Sequence, residues 1–172
     1  MSNQTAAADG HSAVSTAEQY LTFMLAGEEY GIDILRVQEI KGWDRVTRIP
    51  HAPDYVLGVI NLRGTVVPVL DLRCRFGIET IPFGPTTVVI VIRVAGGRGD
   101  KTVGIVVDAV SEVYNVAAGS SKPPPEMGGN VDTAFVKALA TVDEKMIILL
   151  DVDKIAGGAS VGDVAAPSVV AA

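Results

Sequence analysis

Two histidines and one cysteine are the side chains of this sequence best suited to general-base or nucleophilic chemistry. His11 sits in a Ser/Thr/Ala/Gln-rich stretch, and His51 lies between Pro50 and Pro53 in a connector. Cys74 falls in a turn expected over Asp71–Phe76 and carries no sequence mark of an activated thiolate. A Ser/His/Asp or Cys/His site would have to be built around His51, and no constellation forms there. Asp151 and Asp153 are too few carboxylates for a metal cage, and capping a short helix is the expected role for one of them. Gly96-Gly97-Arg98-Gly99-Asp100 is glycine-rich, but it lacks the Lys-Ser/Thr ending of a phosphate loop and runs into a strand. It reads as a hairpin loop. The expectation is therefore no catalytic residue, no bound metal and no cofactor.

The elements that would position any other function are strands. The chain has 172 residues, 48% of them hydrophobic and 20% charged, a composition that folds as one domain or two small packed ones. Valine and isoleucine supply much of the apolar content, which favours strands. A net charge of -6, with no run of Lys and Arg, argues against nucleic acid as a partner. The apolar stretches end far short of the ~20 residues that a membrane helix needs. Met1–Ala17 has neither a basic nor an apolar signal region, and one cysteine permits no internal disulfide, so a cytoplasmic protein is expected.

Along the chain, residues 1–17 and 157–172 read as disordered tails around a domain spanning 18–156. Tyr20–Leu25, a turn at Ala26–Glu29, and Tyr30–Ile34 make a hairpin with Tyr30, Ile32 and Ile34 on one face. A bulge or turn near Leu35–Arg36 resets the register before Val37–Ile40. Asp54–Leu57 reads as a helical turn stopped by Gly58, followed by strand, Arg63-Gly64 turn and strand. Pro68 lies inside that second strand and marks it as an edge or a bulge. Thr86–Val94, Lys101–Val107 and Val110–Val116 are further strands. Residues 119–130 read as a proline-rich loop, and Val136–Val142 with Lys145–Asp151 as a last hairpin.

The chain repeats itself. Tyr30–Ile40 aligns without gaps on Val103–Val113, and Val69-Leu70-Asp71-Leu72 aligns on Leu149-Leu150-Asp151-Val152. Two matches in the same order imply two similar small antiparallel barrels that complete their cores against each other. The expected fold is all-β, two similar small barrels with short helical turns, the second drawn mainly from about 86–150.

Glu28–Ile40 resembles the chemotaxis coupling proteins, the CheW-like family, and so do Asn61–Gly64, Val67–Arg73, Val88–Val91 and Val103–Asp108. The resemblance runs from about Gln19 to Ile155, in order and at family spacing. It implies two intertwined five-stranded SH3-like barrels around a shared hydrophobic core, and a non-catalytic adaptor that binds the cytoplasmic tip of chemoreceptors and the regulatory domain of the histidine kinase CheA. It also implies a monomer when alone that joins kinase in rings at membrane-associated receptor arrays, with no membrane insertion of its own. The length favours the stand-alone adaptor over the fused relatives, and the alternative within the family is an adaptor of a non-flagellar chemosensory system.

By the same resemblance, Val37, Glu39, Arg63 and Val88 match the receptor-facing surface. Gly58 matches a sensitive glycine, and Lys122 and Met127 match a ring-forming kinase contact. Met127 departs from the aromatic residue usual there. Strand alternation adds that Val37 and Glu39 face out together if Ile40 points inward. An ordinary surface ion pair between Glu39 and Arg63 would be worth about 0–1 kcal/mol to folding.

Overall fold

The structure, a computed structural model, describes residues 18–95, 99–124 and 133–157. Alternating apolar residues build eleven strands: β1 (Glu18–Leu25), β2 (Glu28–Asp33), β3 (Val37–Gly42), β4 (Val56–Leu62), β5 (Thr65–Asp71), β6 (Val88–Val94), β7 (Lys101–Val107), β8 (Ala109–Val116), β9 (Ser121–Lys122), β10 (Val136–Val142) and β11 (Lys145–Leu150). Two short helices follow the two repeated Asp positions, α1 (Leu72–Arg75) and α2 (Val152–Gly157). Asp71 caps α1 by accepting the Arg73 N–H, and Asp151 caps α2 by accepting the N–H groups of Asp153 and Lys154. Three hairpins turn on two residues that both have positive φ, Ala26-Gly27, Arg63-Gly64 and Asp143-Glu144. Positive φ at both positions matches the right-handed twist of the flanking strands.

The strands form two sheets, β8-β1-β2-β11-β10-β9 and β3-β6-β7-β5-β4. The two orders are equivalent. In each, one hairpin (β1–β2 or β6–β7) is flanked by β8 or β3 on one side and by a second hairpin (β11–β10 or β5–β4) on the other. The first sheet adds the two-residue β9 to its five longer strands. Each hairpin meets its neighbour in parallel at the repeated glycine, Gly31 against Leu149 and Gly104 against Val69. A Cβ on Gly104 would stand 2.8 Å from a Val89 methyl, so the close approach explains that glycine.

The sheets exchange hairpins between the halves of the chain. β1–β2 joins the C-terminal strands, while β6–β7 joins β3–β5. The division expected at about 86 is thereby corrected. The first barrel takes β8–β11 plus β1–β2, and β6–β7 belong to the second barrel. One cluster of buried side chains, including Phe23, Tyr30, Ile32, Leu70, Ile90, Ile105, Leu150 and Ile155, lies between the sheets as a shared core. Smaller clusters fill each barrel, around Tyr20, Tyr114 and Ile147 in the first and around Val69, Val89, Val91 and Val106 in the second.

Two Arg–Asp clasps tie the exchanged parts together. Asp108, between β7 and β8, receives Arg73 of α1 through Nε and Nη2 (2.8 and 2.6 Å) and the Ala26 N–H of the β1–β2 turn (2.9 Å). Asp153 of α2 receives Arg36, between β2 and β3 (2.8 and 2.9 Å), and the Ala95 N–H after β6 (2.8 Å). The arrangement repeats with acid and base interchanged. Each arginine holds its aspartate below the usual carboxylate range.

Other expectations need correction. No helical turn forms at Asp54–Leu57, because β4 begins at Val56 and Gly58 lies inside it. Pro68 is in an interior strand. Val59, registered opposite it, uses both its N–H and its C=O on Thr47, and pairing with β7 starts only at Val69, so no partner requires a proline N–H. Helix α2 extends through Gly157, one residue into the expected tail. The expected tails, residues 1–17 and 158–172, lie outside the described residues, as do the loop at 96–98 and residues 125–132.

Candidate functional site

Strand β3 pairs with β6, and the register slips between Val37 and Glu39 because Gln38 is an extra residue in the ladder. Val37 opposes Ile92, and Ile40 opposes Ile90, so both lie on the face that carries the shared core. Glu39 opposes Val91, on the face that lines the second barrel. The expectation that Ile40 points inward while Val37 and Glu39 face out together is therefore corrected. The bulge separates Val37 from Glu39. Val37 is half-buried against the shared core, while Ile40 is 43% exposed at its margin. Val88, opposite Gly42 on the same ladder, is also half-buried against that core. Val37, Ile40 and Val88 thus make one apolar stripe where the second sheet emerges from between the barrels. Ile40 was missed because plain alternation assigns it to the interior.

Glu39 and Arg63 do come together, on the rim of the second barrel. Arg63 Nη1 is 3.2 Å from Glu39 Oε2, with the Arg63 side chain 78% exposed and that of Glu39 28%. Arg63 adopts φ +52° in the β4–β5 turn, which Asn61 fixes by accepting the Gly64 N–H. Glu39 Oε2 is shielded from solvent and accepts no well-angled hydrogen bond among the described residues. The ion pair therefore holds a carboxylate oxygen that has little else.

Gly58 closes the same barrel. It has φ +153°, and a Cβ there would stand 2.2 Å from the Thr47 carbonyl oxygen. Thr47 and Val59 exchange two backbone hydrogen bonds (2.9 and 2.8 Å), bringing β4 against the segment after β3. Lys122 is exposed in β9, at the far edge of the other sheet and opposite Leu139. It is not part of the Glu39–Arg63 rim. Met127 lies outside the described residues.

Cys74, in α1, is half-buried, and burial with the charges of Asp71 and Asp54 pushes its thiol up, away from the thiolate. His51 is exposed in a turn, with φ +63°. Among the described residues no cluster of three or more His, Cys, Asp or Glu could hold a metal ion, and no helix is long and apolar enough to cross a membrane. What the geometry offers is an edge strand with two surfaces: an apolar stripe on its shared-core face and a charged pair on its second-barrel face.

The family model described as CheW-like domain matches residues 19–159, nearly all of the residues that carry these sheets. The chain belongs to the CheW-like family. It is 44% identical to the "Chemotaxis protein CheW" of Klebsiella aerogenes over 141 residues, 82% of each protein. It is 37% identical to a "Probable chemotaxis protein CheW" of Rhizobium etli over 135 residues, 78% of this chain and 84% of the relative. Among solved structures, it resembles scaffolding protein TtCheW from Thermoanaerobacter tengcongensis, with a TM-score of 0.74 and 38% identity over 80% of this chain and 91% of that one. The all-β fold of two packed SH3-like units agrees with this CheW-like membership.

Proposed function

We propose that this protein is a non-catalytic adaptor that couples chemoreceptors to the histidine kinase CheA at cytoplasmic receptor arrays. The observation that carries the reading is strand β3 at the edge of the second sheet, which holds the Arg63–Glu39 pair on its second-barrel face and Val37 and Ile40, with Val88 across the ladder, on its shared-core face. An exposed apolar side chain, Ile40, on the same edge strand as a charged pair suits a protein partner. On this reading Val37, Glu39, Arg63 and Val88, joined by Ile40, face the receptor tip. Gly58 preserves the shape of that barrel. Lys122, with Met127, serves a separate kinase contact, and the chain alone is a monomer.

The test is reconstitution. The full chain is titrated with a soluble receptor-tip fragment and with the CheA regulatory domain, first singly and then together. Binding of both partners at once supports the adaptor, and strict competition or no binding of either refutes it.

A further inference from the structure

The bulge in β3 has a second consequence. Gln38, the extra residue, carries a carboxamide whose oxygen, oriented as its neighbours require, accepts from Arg93 Nε and Nη2 at 3.1 and 3.2 Å. Arg93 lies directly across the β6–β7 ladder from Thr102. Thr102 in turn lines a pocket of ≈ 180 Å³ with Gln38, Leu62, Arg63, Thr65 and Val67. That space holds roughly six waters at ~30 Å³ each, or one side chain. Leu62 and the buried Val67 give it an apolar floor, and Thr65 and Thr102 give it hydroxyl donors.

Its charge is unusual for this chain. The protein carries a net -6, yet the Arg63 guanidinium lines this pocket and a second, that of Arg93, reaches its Gln38 wall. Arg63 has Glu39 on one side and remains 78% exposed. Arg93 is exposed and is held by a neutral carboxamide, with no carboxylate paired to it among the described residues. Arginine forks match carboxylates in shape as well as charge.

We propose that this pocket seats a single acidic side chain of the partner protein, its methylenes against Leu62 and Val67 and its carboxylate between Arg63 and Arg93. Gln38 is the positioning residue that aims Arg93. The proposal rests on the adaptor reading, and under it the partner is the receptor tip.

The experiment titrates a soluble receptor-tip fragment onto the full chain, with thermal melts as controls. Arg93→Gln loses about tenfold in affinity, as an interfacial charge contact implies. Thr102→Leu, which fills the pocket without changing charge, also weakens binding. Acidic residues of the tip are replaced one at a time by their amides. One replacement reproduces the loss and has no further effect on the Arg93→Gln protein, which identifies the seated carboxylate. Binding within about twofold of wild type for both Arg93→Gln and Thr102→Leu overturns the pocket. If charge reversal at Glu39 still weakens the tip in that case, the adaptor reading survives. A tip that fails to bind the unaltered chain overturns both.

Discussion

Charge reversal at Glu39 or Arg63 separates folding from recognition. In the free protein the pair is 3.2 Å apart but mostly wet on the arginine side, so its contribution to folding is about 0–1 kcal/mol. Reversing one partner makes a like-charge contact, two carboxylates beside the shielded Glu39 oxygen in Arg63→Glu and two guanidinium groups in Glu39→Arg, which raises the cost to about 1–2 kcal/mol. For a chain of this size that lowers the melting temperature by roughly 2–8 °C, so both single variants stay folded. Under a partner, water leaves and the same clash costs several kcal/mol, a loss of about a hundredfold or more in affinity. Glu39→Arg and Arg63→Glu should each show this loss when the receptor-tip fragment is titrated with the kinase regulatory domain present, while their melts stay near wild type. Mutual interaction predicts that the double reversal recovers part of the binding. Separate contacts with receptor charges predict a double variant worse than either single one. Near wild-type binding by both single variants would refute the assignment of this rim and leave the fold untouched.

Gly58→Ala puts a Cβ into the Thr47 carbonyl and should destabilise the fold by about 3 kcal/mol or more, lowering the melting temperature by roughly 6–12 °C. Gly42→Ala, with nothing near its Cβ, should cost far less, and equal losses would refute the closure argument. The depressed carboxyls of Asp108 and Asp153 contribute stability that is present above the ordinary aspartate pKa of about 3.9 and is lost as pH falls through their lower folded values. Buried Asp71, whose carboxyl is pushed up by burial, opposes that loss, so Asp108→Asn with Asp153→Asn should flatten the acid limb measured by denaturant melts between about pH 5 and pH 2. An unchanged slope would show that the clasps do not set acid stability. Glu112→Arg, at the position in β8 that repeats Glu39, should leave receptor-tip affinity within about threefold of wild type. A loss as large as that of Glu39→Arg would mean that the receptor reads both barrels.

Much of the fold could be read locally. The Tyr30 and Ile32 alternation, the Arg63-Gly64 turn and the Asp151 cap are short-range signals, and each stands where it was expected, while the Asp71 cap and the end of the strand at Asp33 were not foreseen. The pairing of strands could not be read this way, because β1–β2 and β6–β7 carry no local mark of which half they will join. Equivalent sequences make either partner chemically acceptable, and tertiary packing decides. Pro68 misled for a related reason. Its rule concerns hydrogen bonds, and the acceptor that a residue 68 N–H would have served, the Val59 carbonyl, accepts instead from the distant Thr47 N–H. Gly58 looked like a helix stop because a glycine after a short polar turn often is one, whereas its actual constraint comes from a carbonyl eleven positions earlier in the chain. On the candidate site, the Glu39–Arg63 contact agrees with the family resemblance. The facing of Val37 and Ile40 does not follow simple alternation, because one bulged residue inverts it.

The internal repeat also bears on why one barrel would carry the receptor surface. The apolar stripe is duplicated in type, since Val110 and Val113 repeat Val37 and Ile40, and Val113 is 47% exposed. The charged rim is not. The position of Arg63 is taken by Asp143, with Glu144 after it, in a turn of the same positive-φ geometry. The position of Glu39 is taken by Glu112, whose carboxylate accepts from the Tyr114 hydroxyl instead and, with burial and neighbouring charge, pushes it up to about 12. A partner recognised by a guanidinium beside a carboxylate would find that pair on the second barrel and three acidic groups on the first. Hydrophobic stripes of similar shape would bind similar helices on either side, so shape alone gives no preference. The sign of one turn residue, arginine or aspartate, is then enough to separate them, because a misplaced like charge in an interface costs several kcal/mol. Duplication supplies two equivalent frames, and on the proposed reading the opposite charges at their hairpin tips would direct them to different partners.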